Sequence, residues 1–372
     1  MASRTLPGLG LQGFWTLGEA WKTGGDTNWL ALSVMAQIVV ESATTTLPAA
    51  PANGVMYIVP QSASSNKGSV AVRDAGAWVY FVPPLGAQAW VKDAVGVDKR
   101  YRFDGTTWVA EHTPVREKLT AARTYFVRTD GNDANTGLAN TAAAAFRTIQ
   151  KAVDTAASLD NGNFDITITV QAGTWTDGAE LKETVGGGYV IIDGGSSASC
   201  TISTTDRSCF FAPASTRASK YRLQNMRLQT SGASGYAIAA YNGPTNIEFQ
   251  FITFGATAGA QIFASQQGNI QAIGNYSILG GGVAHVIASE YGVFAVKQGI
   301  TITLAGTPAY TTGFVASVRT GFVSIYSVTI TGAATGPRYT ANNGGGIFTA
   351  GAGASFLPGS IAGTATAPGW YA

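Results

Sequence analysis

The chain has 372 residues, a formal net charge of +2 and 12% charged residues, well below the roughly 25% of ordinary soluble domains. No Lys/Arg cluster offers a footprint for nucleic acid. Two cysteines, Cys200 and Cys209, are too few for a disulfide framework and wrongly spaced for zinc, and two histidines, His112 and His285, poorly support imidazole metal clusters or Ser/His/Asp triads. No cofactor or metal is expected, and the cysteines read as buried free thiols.

Low charge with 47 glycines and many small residues points instead to a β-rich, repetitive body. The start shows no secretory signal, so synthesis in the cytosol is expected. The apolar stretch Trp29–Val40 is interrupted by Ser33 and Gln37 and falls short of the roughly 20 residues that cross a bilayer. It reads as a short packed helix or adapter, without membrane insertion.

Residues 1–45 mix glycines with Phe14, Trp15, Trp21 and Trp29, aromatics that need burial on a partner or on the next domain. This segment is expected to attach the chain to a larger assembly. From Thr46 a Pro/Gly entry leads into short β runs, giving a small β domain over 46–112. Asp74-Ala75-Gly76 and Asp104-Gly105 are turns followed by Trp78 and Trp108, each placed to seal a hairpin. The run Pro51–Val59, then Gly76–Pro84, then Ala89–Val91, then Tyr101–Trp108 resembles a small domain of unknown function found near the start of many phage and gene-transfer-agent tail proteins. The resemblance covers about residues 30–112.

Residues 113–124 are charged, contain Pro114 and read as a neck or linker. A strand at 125–129 then ends in Asp130-Gly131-Asn132-Asp133, a dense turn. Phe146, Ile149, Val153 and Ala156 follow at helical spacing and predict an amphipathic helix over about 145–158. The next strand, Ile166–Val170, alternates with period two and leads to Gly173-Thr174-Trp175. Strand, turn, amphipathic helix and alternating strand resemble the entrance to right-handed parallel β-helices of the pectate-lyase-like kind. The helix would cap the open end of the strand stack.

Internal repetition supports a β-helix over 125–372. The segments at Phe263-Ala264-Ser265, Ile287-Ala288-Ser289 and Val315-Ala316-Ser317 each lead through a turn to Gly268, Gly292 and Gly321, in steps of 24 and 29 residues, and then to another β run. Tyr221–Leu228 and Ile247–Phe254 read as two further rungs, for six or seven coils in all. The triple glycines at 186–188, 280–282 and 344–346 read as turns, because none opens a helix as a phosphate loop would. The fold class expected is mainly β: a small N-terminal β domain, then a right-handed parallel β-helix capped by an amphipathic helix.

Both resemblances imply a bacteriophage virion tail fibre or spike. Residues 1–112 would dock on a tail or baseplate protein, the β-helix would bind a host-surface glycan or protein, and the chain would form a homotrimer located in the virion tail. Two alternatives stand beside this: a polysaccharide depolymerase and a purely structural baseplate or collar part. Glycoside hydrolysis needs two carboxylates roughly 5–10 Å apart. After Asp193 the acids are Asp206, Glu248 and Glu290, and residues 291–372 contain none. Asp177, Glu180 and Glu183 lie near the entrance. No catalytic residue is therefore nominated. Tyr236, Tyr241, Tyr276, Tyr291 and Tyr310 are candidates for a sugar-binding face, but no receptor-binding residue is singled out, and His285 reads as a packed or turn residue.

Overall fold

Short alternating strands separated by turns cannot bury both ends of their ladders alone, and this chain solves the problem twice. The structure, a computed structural model, describes residues 4–5, 12–13, 21–93, 99–111, 116–216, 219–241 and 245–372. Two units separate, Met1–Val115 and Arg116–Ala372. The architecture is mainly β, with two helices among the described residues.

In the first unit, the antiparallel strands Met56–Ile58, Val70–Asp74 and Ala77–Phe81 form one sheet. A second sheet pairs Ile38–Val40 with Gln88–Val91 in parallel and continues antiparallel through Arg100–Phe103 to Trp108–Ala110. The helix Trp21–Ala36 contributes Val34 to a core shared with Ile38, Val40, Ile58, Val70 and Val91. The unit thus begins before Thr46, because Val34, Ile38 and Val40 complete its core. Both expected hairpin tryptophans are tied in. Ala75 and Gly76 have φ of 45° and 79° in a two-residue turn that suits strand twist. Beyond it Trp78 meets Tyr57 edge-on at 5.8 Å and donates to Pro48 O. Trp108 donates to Gly68 O at 2.8 Å. Trp29, by contrast, is 73% exposed on the helix. Phe14, Trp15, the Trp21 side chain, His112 and residues 113–115 lie outside the described residues.

The second unit is a parallel β-solenoid of about eight turns. Its three sheets have ten, seven and eight strands, and between the first and last coils each strand pairs with the one three places on in sequence. Registers stack like on like. Ile166, Val190, Tyr221, Ile247, Ile270, Phe294, Val323 and Ile347 form one inward column of the first sheet. Phe210, Ile238, Ile262, Val286, Val315 and Tyr339 form another in the third. Each fully buried Ile, Leu or Phe contributes about 1.5–3 kcal/mol, so the stack gains what no single coil can.

The helix Ile149–Ala157 buries Ile149, Ala152, Val153 and Ala156 in the solenoid core beside Phe146. The Asp/Asn/Gly turn sets its start: Asp133 accepts from the backbone N–H groups of Arg147 and Thr148 and from the Thr148 hydroxyl, and Thr148 caps Lys151 N. Residues 117–119, expected as part of a neck, join the first coil instead. Leu119 is buried in the core, and Leu119 N donates to Asp160 O at 2.8 Å. At the other end Tyr371 stacks on Tyr339 with ring centroids 4.0 Å apart.

Candidate functional site

The outer faces of the three sheets differ in chemistry. On the first, registered outward positions place Arg222 beside Glu248. Two guanidinium nitrogens of Arg222 donate to one Glu248 oxygen at 3.0 and 2.8 Å, and the Tyr189 hydroxyl donates to the other at 2.8 Å. Arg222 also lies over the Tyr189 ring at 4.5 Å. Burial, then the bond to Glu248, pushes the Tyr189 hydroxyl pKa up. Glu248 is thus held on both oxygens.

The other acids are engaged similarly. Arg319 donates to Glu290 at 2.9 Å, and that bond holds the Glu290 carboxyl below its ordinary value. Asp206 accepts from Ala233 N at 2.6 Å, Lys182 pairs with Glu180 at 2.7 Å, and Arg207 stands 3.5 Å from Asp177. Glu183 is exposed. Glu248 belongs to a first-sheet strand, whereas Glu290 follows a third-sheet strand of the next coil, so the fold does not set them side by side. Among the described residues no three His, Cys, Asp or Glu side chains gather as a metal site, and no helix is long and apolar enough to cross a membrane.

The five candidate tyrosines separate. Tyr310 and the Tyr276 hydroxyl are interior, where His285 and Gln261 offer them hydrogen bonds, although Tyr276 also borders a groove at the corner between the first and second sheets. His285 Nε2 lies 3.0 Å from the Tyr276 hydroxyl, its Nδ1 lies 2.8 Å from Gln261 Oε1, and Tyr310 donates to the same oxygen at 3.1 Å. Burial lowers the His285 pKa to about 3, so the ring is neutral. Neutral imidazole donates from one nitrogen and accepts at the other, which matches Nδ1–H to Gln261 and Nε2 accepting from Tyr276. Tyr236 and Tyr241 lie on the outer face of the third sheet against Phe263, with centroids 4.6 and 5.2 Å from it. Tyr291 is 66% exposed at the corner between the third and first sheets. Cys200 and Cys209 are buried free thiols whose pKa burial pushes up to about 11.

The corner between the first and second sheets carries a feature the sequence pattern hid. Within 247–254 the strand breaks, and Phe251 takes a φ of 53° with 51% of its surface exposed. Beside it runs a groove of about 250 Å³ lined by Phe251, Ser197, Thr253, Asn275, Ser277 and Thr303, among other uncharged residues. Thr253, Ser277 and Thr303 are registered outward positions on three successive coils. They therefore present hydroxyls at intervals of about 4.8 Å along the axis. Asn275 Oδ1 accepts from Thr301 N at 2.8 Å, which fixes the amide at the groove edge. The available signal was parity: Phe249 and Phe251 share one alternation while Ile252 and Phe254 share the other, so the chain must turn between them.

In comparisons with known proteins, residues 27–109 match the model of a family described as a protein of unknown function (DUF2793). No curated protein matches, and no solved structure matches. The chain therefore joins a DUF2793 domain near its N-terminus to a parallel β-solenoid.

Proposed function

We propose that this protein is a virion tail fibre or spike of a bacteriophage: a homotrimer that docks on the tail or baseplate through residues 1–112 and binds a host-surface glycan through the solenoid. The observation that carries the reading is the joining of a DUF2793 domain, whose motifs resemble a domain found near the start of phage tail proteins, to a solenoid with a hydroxyl-lined, aromatic-edged groove on its side. An aromatic face beside convergent hydroxyl and amide groups suits an amphipathic, polyhydroxylated ligand. Binding is favoured over bond cleavage because Glu248 and Glu290 are held in ion pairs.

The test is retention of the labelled full-length protein on a panel of bacterial cells, with their surface polysaccharide sized before and after. Retention without shortening supports an adhesin. Shortening transfers the reading to a depolymerase, and absence of retention on a host of the same virus leaves a structural tail part.

A further inference from the structure

Phe251 occupies a backbone conformation that disfavours it, and 51% of its surface is left exposed. A left-handed φ brings the Cβ of an L-residue close to the following carbonyl oxygen, and a bulky side chain there is an outlier. One coil earlier, where Gln224 is in register with Gln250, the next residue is Asn225 at φ 58°, a residue type that tolerates this region. Phe251 is absent from the solenoid core cluster, and its ring is half exposed over the groove. Left-handed corners recur through the solenoid, at Tyr291 among others, so what sets Phe251 apart is an exposed ring placed beside the groove.

What surrounds the ring defines the ligand. Among the described residues no charged side chain lines the groove. Hydroxyls of Thr253, Ser277 and Thr303 both donate and accept, and they repeat along the solenoid axis. The cation nearest in register is Arg227, in line with Thr253 one coil earlier, and its buried Nε has no hydrogen-bond partner among the described residues. From strand geometry its backbone lies roughly 8 Å from that of Phe251.

We infer that this groove binds an uncharged stretch of a polysaccharide lying along the solenoid axis, with one sugar ring on the Phe251 face and its hydroxyls on Thr253, Ser277 and Thr303. This rests on the glycan-binding reading above and names its ligand class and its central contact. Recognition without charge is insensitive to salt, because screening acts on charge pairs.

The experiment uses the full-length protein on immobilised neutral polysaccharides (dextran, mannan, galactan) beside acidic ones (alginate, polygalacturonate), comparing wild type with Phe251→Asn and Arg227→Gln. The expected result is wild-type retention on a neutral polysaccharide, unchanged between about 0.05 and 0.5 M NaCl. Phe251→Asn then weakens retention about tenfold or more while leaving the melting temperature equal or higher, and Arg227→Gln has no effect. Equal retention by Phe251→Asn, or a lowered melting temperature, overturns the site and leaves the adhesin reading standing. Retention confined to acidic polysaccharides, or lost with Arg227→Gln, overturns the uncharged class. Retention on none of them overturns both.

Discussion

Gly292 lies directly above the carbonyl oxygen of Ala264, so close that a Cβ on Gly292 would come within 3.0 Å of it. The same relation recurs between Gly268 and Ala240, Gly321 and Ala288, and Gly345 and Ser317. Each glycine closes a turn in which its N–H donates back three residues, as Gly292 N does to Ser289 O at 2.7 Å. The repeated Ser-to-Gly motif is thus a stacking device: the coil turns where only a hydrogen atom fits over its neighbour. Gly292→Ala is expected to cost about 1–3 kcal/mol, as overpacking does, and to lower the melting temperature by several degrees. Thermal unfolding followed by circular dichroism checks it, and an unchanged midpoint would mean that the coils slide apart without penalty.

The two residues inside these turns are left-handed in successive coils: Gln266 and Gln267, Glu290 and Tyr291, Arg319 and Thr320, then Asn343 and Gly344. Thr320 is β-branched at φ 63°, where the next coil has Gly344 at φ 82°. Thr320→Gly relieves the clash but adds unfolded-chain entropy. The expected balance is a gain of up to about 1 kcal/mol. Denaturant titration reads this as a higher midpoint with the same slope.

Glu248 has an 11% exposed side chain and Arg222 a 25% exposed one. Glu248→Ala leaves Arg222 and the Tyr189 hydroxyl without their shared acceptor, and a loss of about 3 kcal/mol is expected. The double variant Arg222→Met, Glu248→Leu recovers most of it, because no charge is then stranded. If single and double variants lose equally, the pair is not what secures this face.

His285 has its pKa lowered from 6.5 to about 3 by burial. The groups facing it are Gln261, Tyr276, Phe254 and Phe314, and none is charged. A proton that the unfolded chain takes up near pH 6.5 is refused by the folded one until about pH 3. Its contribution is therefore intact above 6.5 and falls by up to about 1.4 kcal/mol per pH unit below that, levelling off near the folded value. Between pH 7 and 5, His285→Gln should flatten the stability profile by that one proton. Parallel wild-type and variant profiles would show that the ring is already protonated in the fold.

Two kinds of information divide this protein. Composition and alternation already specified a mainly β chain, the capping helix around Ile149–Ala157, the strand Ile166–Val170 and the Ser-to-Gly repeat, because period and turn chemistry are local. The two hairpin tryptophans were legible for the same reason. The number of coils, expected as six or seven, came out at about eight, since the last strands, such as Thr364–Ala365 and Trp370–Tyr371, are too short to show a period. The tyrosines show the limit best: nothing local separates Tyr276 and Tyr310, which the solenoid turns inward onto His285 and Gln261, from Tyr291, which it leaves in solvent. Phe251 reads along the chain as one more apolar residue in a strand. Only the corner it occupies and the hydroxyls stacked beside it from later coils make a groove, because stacking joins residues some 24 to 29 positions apart that share no sequence neighbourhood.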